Sequence, residues 1–197
     1  KPFQLDEGNY VLTSGTRMAS GKVLARMVTF NVLKDQTTDV QLVMCHSAEE
    51  ISVLGAMNPE AFYIPVSEGK AADKVSLLST TGRGYFLLAV LGAGDEPSNH
   101  AIREMQAVAG KLKEWGRPVV VLGQNEAAVA KLNVNKDWHY GIDPEWEIRE
   151  MLCEGCHTAS RTLPVIAMCD SFGRVVYIST GYNTSLASQL TAVIDGI

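Results

Sequence analysis

Two short stretches carry residue types that chemistry needs. The first is Cys153-Glu154-Gly155-Cys156-His157 (CEGCH). Two thiols three residues apart, followed by a histidine, fit three uses: covalent attachment of a c-type haem, half of a zinc site, or a dithiol redox pair. A structural zinc ion takes four ligands, and with no second CxxC in the chain His46 and His139 are possible but arbitrary additions. A motif this short also arises by chance. The preferred reading is two loop cysteines, free or joined in a local disulfide, with no metal and no cofactor.

The second stretch is Gly94-Asp95-Glu96-Pro97-Ser98-Asn99-His100 (GDEPSNH), which follows the apolar run YFLLAVLGA and precedes an amphipathic segment. His100 beside Asp95 and Glu96 has the groups for acid–base work, but no nucleophile or second base pairs with it from sequence. Asp, Ser and Asn are also what a helix start needs, because their oxygens accept from backbone N–H groups that lack a partner. Capping is therefore preferred, and a ligand or partner site at Asp95, Glu96, Ser98 and His100 is the alternative.

The rest of the chain bounds these readings. It has 197 residues, 46% hydrophobic and 20% charged, the make-up of an ordinary globular protein of one large or two small domains. Its net charge is −5 and its basic residues are scattered, which argues against nucleic acid as a partner. No apolar run approaches the ~20 residues of a membrane-spanning helix. The chain begins at Lys1 without a signal peptide, so it is expected to be a processed product or a piece of something longer. Four cysteines, Cys45, Cys153, Cys156 and Cys169, are too few for a disulfide scaffold and leave the compartment open.

Hydrophobic periodicity then places the elements. Residues 9–18, 22–33 and 39–45 alternate polar and apolar side chains and read as an antiparallel β-meander, residues 1–46 in all. Residues 47–83 read as a connection with short strands at 51–57 and 61–66, Pro65 keeping the latter near an edge. From Tyr85 the pattern becomes β-α-β-α-(β)-α-β-β-α. Tyr85 to Val90 and Pro118 to Leu122 are unbroken apolar runs, typical of strands buried on both faces. Residues 101–115 form a helix ended by Gly116 and Pro118, and 125–132 a shorter one. Asp143 caps a helix from Pro144 to Leu152. Strands at 163–169 and 174–179 flank the turn Asp170-Ser171-Phe172-Gly173, and Asn183, Thr184 or Ser185 caps a last helix. The βαβ units make the sheet core parallel and the late hairpin makes it mixed. Cys45 and Cys169 fall in apolar strand patterns as small core residues, and Trp115, Trp138 and Trp146 as packing residues.

That order, with Leu163-Pro164-Val165-Ile166, Asp170, Gly173-Arg174-Val175-Val176 and Gly181-Tyr182, resembles the thioredoxin fold over residues 84–197. The resemblance implies an α/β fold: a thioredoxin-like mixed sheet flanked by helices, preceded by the small antiparallel β-meander. It also implies a cis bond before Pro164, facing the start of the 101–115 helix. Thioredoxins carry Cys-Gly-Pro-Cys at this helix start, where the N-terminus stabilises a thiolate. Aligning Pro97 with that proline puts Asp95 and Ser98 at the two cysteine positions, and neither can form a disulfide. The CEGCH pair falls instead near the C-terminal end of a helix, where the dipole disfavours a thiolate. Its loop nevertheless leads toward Pro164, which keeps a displaced redox pair as the alternative.

A narrower resemblance lies in GRGYF, EPSNHAIREM, KEWGRPVVVL and RVVYISTGYNTSLASQL, which look like the C-terminal region of large transglutaminase-like proteins from Bacteroidetes. It implies that the transglutaminase core lies upstream and that the meander ends the preceding β-domain. The expected function is a non-enzymatic interaction or stabilising module of a larger secreted or envelope-associated protein. Its partner would be an unknown protein or peptide, or upstream domains of the same chain. Pro164 and Tyr182, the latter beside Asn183 after Gly181, join the binding candidates. The alternative function is a thiol–disulfide oxidoreductase using Cys153 and Cys156.

Overall fold

The computed structural model describes residues 4–17, 23–38, 40, 53–67, 70–158 and 160–197. The first two strands, β1 (Gly8–Arg17) and β2 (Val23–Val32), pair antiparallel from Gly8↔Val32 to Arg17↔Val23. The third strand expected at 39–45 lies, apart from Val40, outside the described residues, as do Cys45 and His46.

The main sheet runs in the order β3 (Gly55–Ala56), β11 (Arg174–Thr180), β10 (Val165–Asp170), β7 (Tyr85–Val90), β8 (Val119–Gly123), β9 (His139–Ile142), β4 (Phe62–Ser67), β5 (Lys70–Ala71), with β6 (Val75–Ser76) also on β4. β7, β8 and β9 are parallel, and all other pairs are antiparallel. The fold is thus an α/β mixed sheet preceded by a small antiparallel two-stranded sheet. Residues 53–71 supply strands to both borders of the main sheet, β3 at one and β4 with β5 at the other.

The apolar runs become central strands because both faces are covered. In β7 and the residue after it, Leu87, Ala89 and Leu91 face one core, and Phe86, Leu88 and Val90 face the other. The first core is closed by α2 (Glu96–Ala107), α3 (Ala109–Trp115), α4 (Glu126–Leu132) and α6 (Leu186–Gly196), through Ile102, Met105, Leu112, Val129, Leu132, Leu186 and Leu190. The second is closed by α1 (Leu77–Thr81) and α5 (Glu147–Gly155), through Leu77, Ile148, Leu152 and Cys153.

Three boundaries differ from expectation for local reasons. The 101–115 helix begins earlier, at Glu96, and breaks at Val108 into α2 and α3. Its first turn is polar and so carries no apolar period, and Val108 and Gly110 are weak helix formers. The helix expected from Pro144 begins at Glu147, because Trp146 adopts a left-handed conformation, φ 59°. Asp143 still serves the helix start: its Oδ2 accepts from the N–H groups of Ile148 and Arg149 at 3.1 and 3.3 Å. The short elements α1, β5 and β6 fall in the 47–83 connection, outside the two short strands expected there.

Candidate functional site

The turn after β7 is a closed set of hydrogen bonds. Asp95 is the N-cap of α2, and its Oδ1 accepts from the Ser98 N–H at 2.7 Å. Ser98 is fully buried, and its Oγ accepts from the Gly92 N–H at 2.8 Å. Each side chain thereby satisfies a backbone donor that would otherwise be orphaned. A Cβ at residue 92 would displace the Asp95 carboxylate, whose Oδ2 lies where it would sit. Glu96 points outward and pairs with Arg103 at 2.6 Å, both side chains being well exposed.

His100, one turn into α2, stacks on Tyr182 with ring centroids 4.6 Å apart and 26° between planes. Its Nε2 is buried without a hydrogen-bond partner among the described residues. Pro164 follows a cis bond to Leu163, and the next residue, Val165, lies opposite both Val90 and Thr180. The Pro164 carbonyl accepts from the Gly181 N–H at 2.8 Å. One end of the sheet therefore gathers Asp95, Glu96, Ser98, His100, Pro164 and Tyr182, contributed by the α2 start, the entry to β10 and the exit of β11.

Cys153 and Cys156 are placed elsewhere. Cys153 lies in the last turn of α5, buried against the second core, and Cys156 is its C-cap. A Cβ on Gly55 would crowd Cys156 Sγ, so that thiol sits beside β3. Gly55 pairs with Val175, which pairs with Cys169. Cys169 is four strand residues beyond Val165, about 13 Å along β10. The thiol of Cys156 thus lies toward the β3 end of the sheet, although Cys156 and Tyr182 line one cavity that runs alongside β11.

Burial governs the thiols. It pushes Cys156 up to about 11, with the neighbouring Cys153 adding to the rise. It also raises Cys153, partly offset by a hydrogen bond with Thr158, and lifts the enclosed Cys169 well above the usual thiol range. At that value about one Cys156 thiol in ten thousand is ionised at pH 7. The glycine inside CEGCH has a packing role: a Cβ on Gly155 would overlap the backbone carbonyl of Ala56. The Gly155–Gly55 contact lets the end of α5 lie directly on β3. Among the described residues, no three His, Cys, Asp or Glu side chains converge to hold a metal ion. No described helix is long and apolar enough to cross a membrane.

Sequence reasoning missed a buried polar cluster beside this end of the sheet. Asn183 Nδ2 donates to Ser179 Oγ at 2.9 Å and to Gln189 Oε1 at 2.8 Å, and Tyr177 donates to the same Gln189 oxygen at 2.8 Å. Burial raises the Tyr177 hydroxyl and keeps it a donor. The available signal was Gln189 itself, an amide between Leu186 and Leu190 on the inward face of α6. A buried polar group at such a position needs a bonded partner.

No family model and no curated protein matches the chain. Solved structures do. The thioredoxin domain of a thiol-disulfide oxidoreductase from Bacteroides vulgatus is similar at 14% identity and a TM-score of 0.51, covering 74% of this chain and 99% of that one. An uncharacterized thioredoxin-like protein from Porphyromonas gingivalis matches at 15% identity and 0.51, covering 69% and 88%. Peroxiredoxin Q from Xanthomonas campestris matches at 7% identity and 0.52, covering 73% and 97%. The chain has the thioredoxin-like fold, as the order of its elements around Pro164 implied.

Proposed function

We propose that this chain is a thioredoxin-like interaction or stabilising module that performs no thiol–disulfide exchange at the α2 turn. The carrying observation is the turn itself. Where the resemblance aligns the two reactive cysteines stand Asp95 and Ser98, and both are engaged in bonds to backbone N–H groups. The wider setting is a larger secreted or envelope-associated transglutaminase-like protein, supported by the stretches EPSNHAIREM, KEWGRPVVVL and RVVYISTGYNTSLASQL. Periplasmic or extracellular placement follows from that setting. The module would hold a protein or peptide partner, or upstream domains of its own chain, against the end of the sheet that gathers His100, Pro164 and Tyr182.

A second reading is thiol–disulfide exchange by Cys153 and Cys156. It is favoured by the description of the Bacteroides vulgatus relative as an oxidoreductase and by the placement of Cys156 on the wall of a cavity. The raised thiols count against it, because the thiolate is the nucleophile.

An insulin-reduction assay on the wild type and Cys156→Ser separates the two. The module reading expects no turnover in either protein. Turnover in the wild type that the substitution abolishes would replace it with the oxidoreductase. Removing residues 84–197 from the longer protein tests the setting, which predicts weakened partner binding or lowered stability of the remainder.

A further inference from the structure

A cavity of about 540 Å³ lies between the β1–β2 hairpin and the end of β11. That volume falls within the ~300–1,000 Å³ of small-molecule sites. Its lining contains no Asp, Glu, Lys or Arg, although charged residues make up 20% of the chain. His157 is the one titratable nitrogen among the lining residues, so a charged ligand desolvated here would meet no permanent counter-charge, which is costly. The chemistry of the walls therefore selects an uncharged ligand.

The floor is polar and held in place. It consists of Ser179, Asn183 and Gln189, locked by the bonds described above, with Asn183 Oδ1 also accepting from the Ser185 N–H at 3.0 Å. Gln189 Oε1 already accepts two donors, so the amide N–H groups are what that side chain retains for another partner. Ser179 Oγ accepts from Asn183, which leaves its own proton to donate. The floor thus offers fixed donors to ligand oxygens.

The walls add aromatic surface and further amides. Tyr10 and Phe30 stack on the hairpin side, with centroids 5.8 Å apart. On the other side Tyr182 is 51% exposed and oriented by its stack on His100, so one ring face is taken by the imidazole. Asn9 and Asn31 bring amides from the hairpin. Fixed donors, amides and aromatic faces without charge match a molecule with hydroxyl oxygens around its edge and C–H groups on its faces. A neutral sugar ring has that form.

We infer that this cavity binds an uncharged oligosaccharide. The inference deepens the module reading by naming a ligand class, and it rests on that reading. It predicts a specific pattern when the isotope-labelled full chain is titrated with neutral di- and trisaccharides of gluco, galacto, manno and N-acetylated type. At least one of them should shift the backbone signals of Ser179, Tyr182, Asn183 and Gln189. Tyr182→Ala should weaken that binding by about tenfold while Tyr182→Phe preserves it. Asn31→Asp, which puts a charge on the hairpin wall, should weaken binding without reaching the core of the main sheet.

The inference is overturned if no saccharide moves those signals, if Tyr182→Ala leaves the response unchanged, or if only charged sugar acids bind. It is also overturned if a neutral tetra-alanine peptide moves them while the saccharides do not. A blank titration alongside blank insulin reduction removes this inference and leaves the module reading standing. Insulin reduction that Cys156→Ser abolishes removes the module reading whatever the titration shows.

Discussion

The start of α2 and the end of α5 are two opposite solutions to a helix terminus in one fold. At the start of α2, free N–H groups meet oxygen: Asp95 and Ser98 accept from Ser98 and Gly92. At the end of α5, two sulfurs are present but stand at the carbonyl end and under protein. A thiolate gains from a helix N-terminus and loses at a C-terminus, and burial costs it more. The first place has the electrostatics for thiol chemistry and no thiol. The second has thiols and lacks the electrostatics. Residue type alone therefore misleads at both ends, and placement decides.

Substitutions can break or sharpen this contrast, and the largest effect is expected at α5. Gly155→Ala should lower stability by about 3 kcal/mol, because the Ala56 carbonyl it meets is backbone and cannot rotate away. The shift of a urea unfolding midpoint reads this directly. A small shift would mean that the glycine of CEGCH is not a packing residue.

At the α2 turn, Ser98→Ala leaves the Gly92 N–H buried without its acceptor and should cost ~1–3 kcal/mol. Asp95→Cys is a sharper probe of the same turn, because this N-cap position is exposed to a reagent whereas Ser98 is fully buried. The new thiol should react with iodoacetamide at a lower pH than Cys156, whose pKa lies at about 11. A pH profile of alkylation monitored by mass spectrometry orders the two. Equal profiles would erase the claimed difference between the helix ends.

Asp143 gives a smaller, pH-dependent test. Burial holds its carboxyl above the ordinary aspartate value, opposed by the N–H groups of Arg149, Ile148 and Glu147 and reinforced by the Glu147 charge. A carboxyl whose pKa is higher folded than unfolded binds its proton more tightly in the native state. Its contribution to stability is present below the unfolded value, near 3.8, and is lost as pH rises through the raised folded value. Asp143→Asn should therefore flatten the fall of the melting temperature as pH rises above about 4. An unchanged slope would show that another group sets it. The smallest change is expected from Glu96→Gln. Its ion pair with Arg103 is exposed, so urea unfolding should shift by less than ~0.5 kcal/mol.

The parts of this molecule legible in sequence are those where one physical demand dominates. Tyr85–Val90 and Val119–Gly123 are apolar throughout because both faces are buried, and they were read within a residue or two. The proline before β10 and the polar start of α2 were readable from residue type and order. What escaped depended on partners far along the chain. β5 and β6 hold two residues each, too few for any period, while β3, equally short, lies within the strand expected at 51–57. The left-handed Trp146 has no local signature, since φ > 0 is unusual for a bulky residue. The cavity beside Tyr182 needs the β1–β2 hairpin to lie against β11, and nothing in either segment names the other.

The borders of the main sheet carry a consequence for strand pairing between molecules. Among the described residues both outermost strands, β3 and β5, are two residues long, and both come from the chain before Tyr85. Very short border strands present few unpaired amides to another chain. A polypeptide trimmed to start at Tyr85 would retain every central strand, yet β9 would lose β4 and β11 would lose β3. Its exposed ladders would then be templates for strand pairing between molecules. β3 and β4 thus cover Arg174 and Val175 of β11 and Gly141 and Ile142 of β9, positions that the shortened chain would leave open.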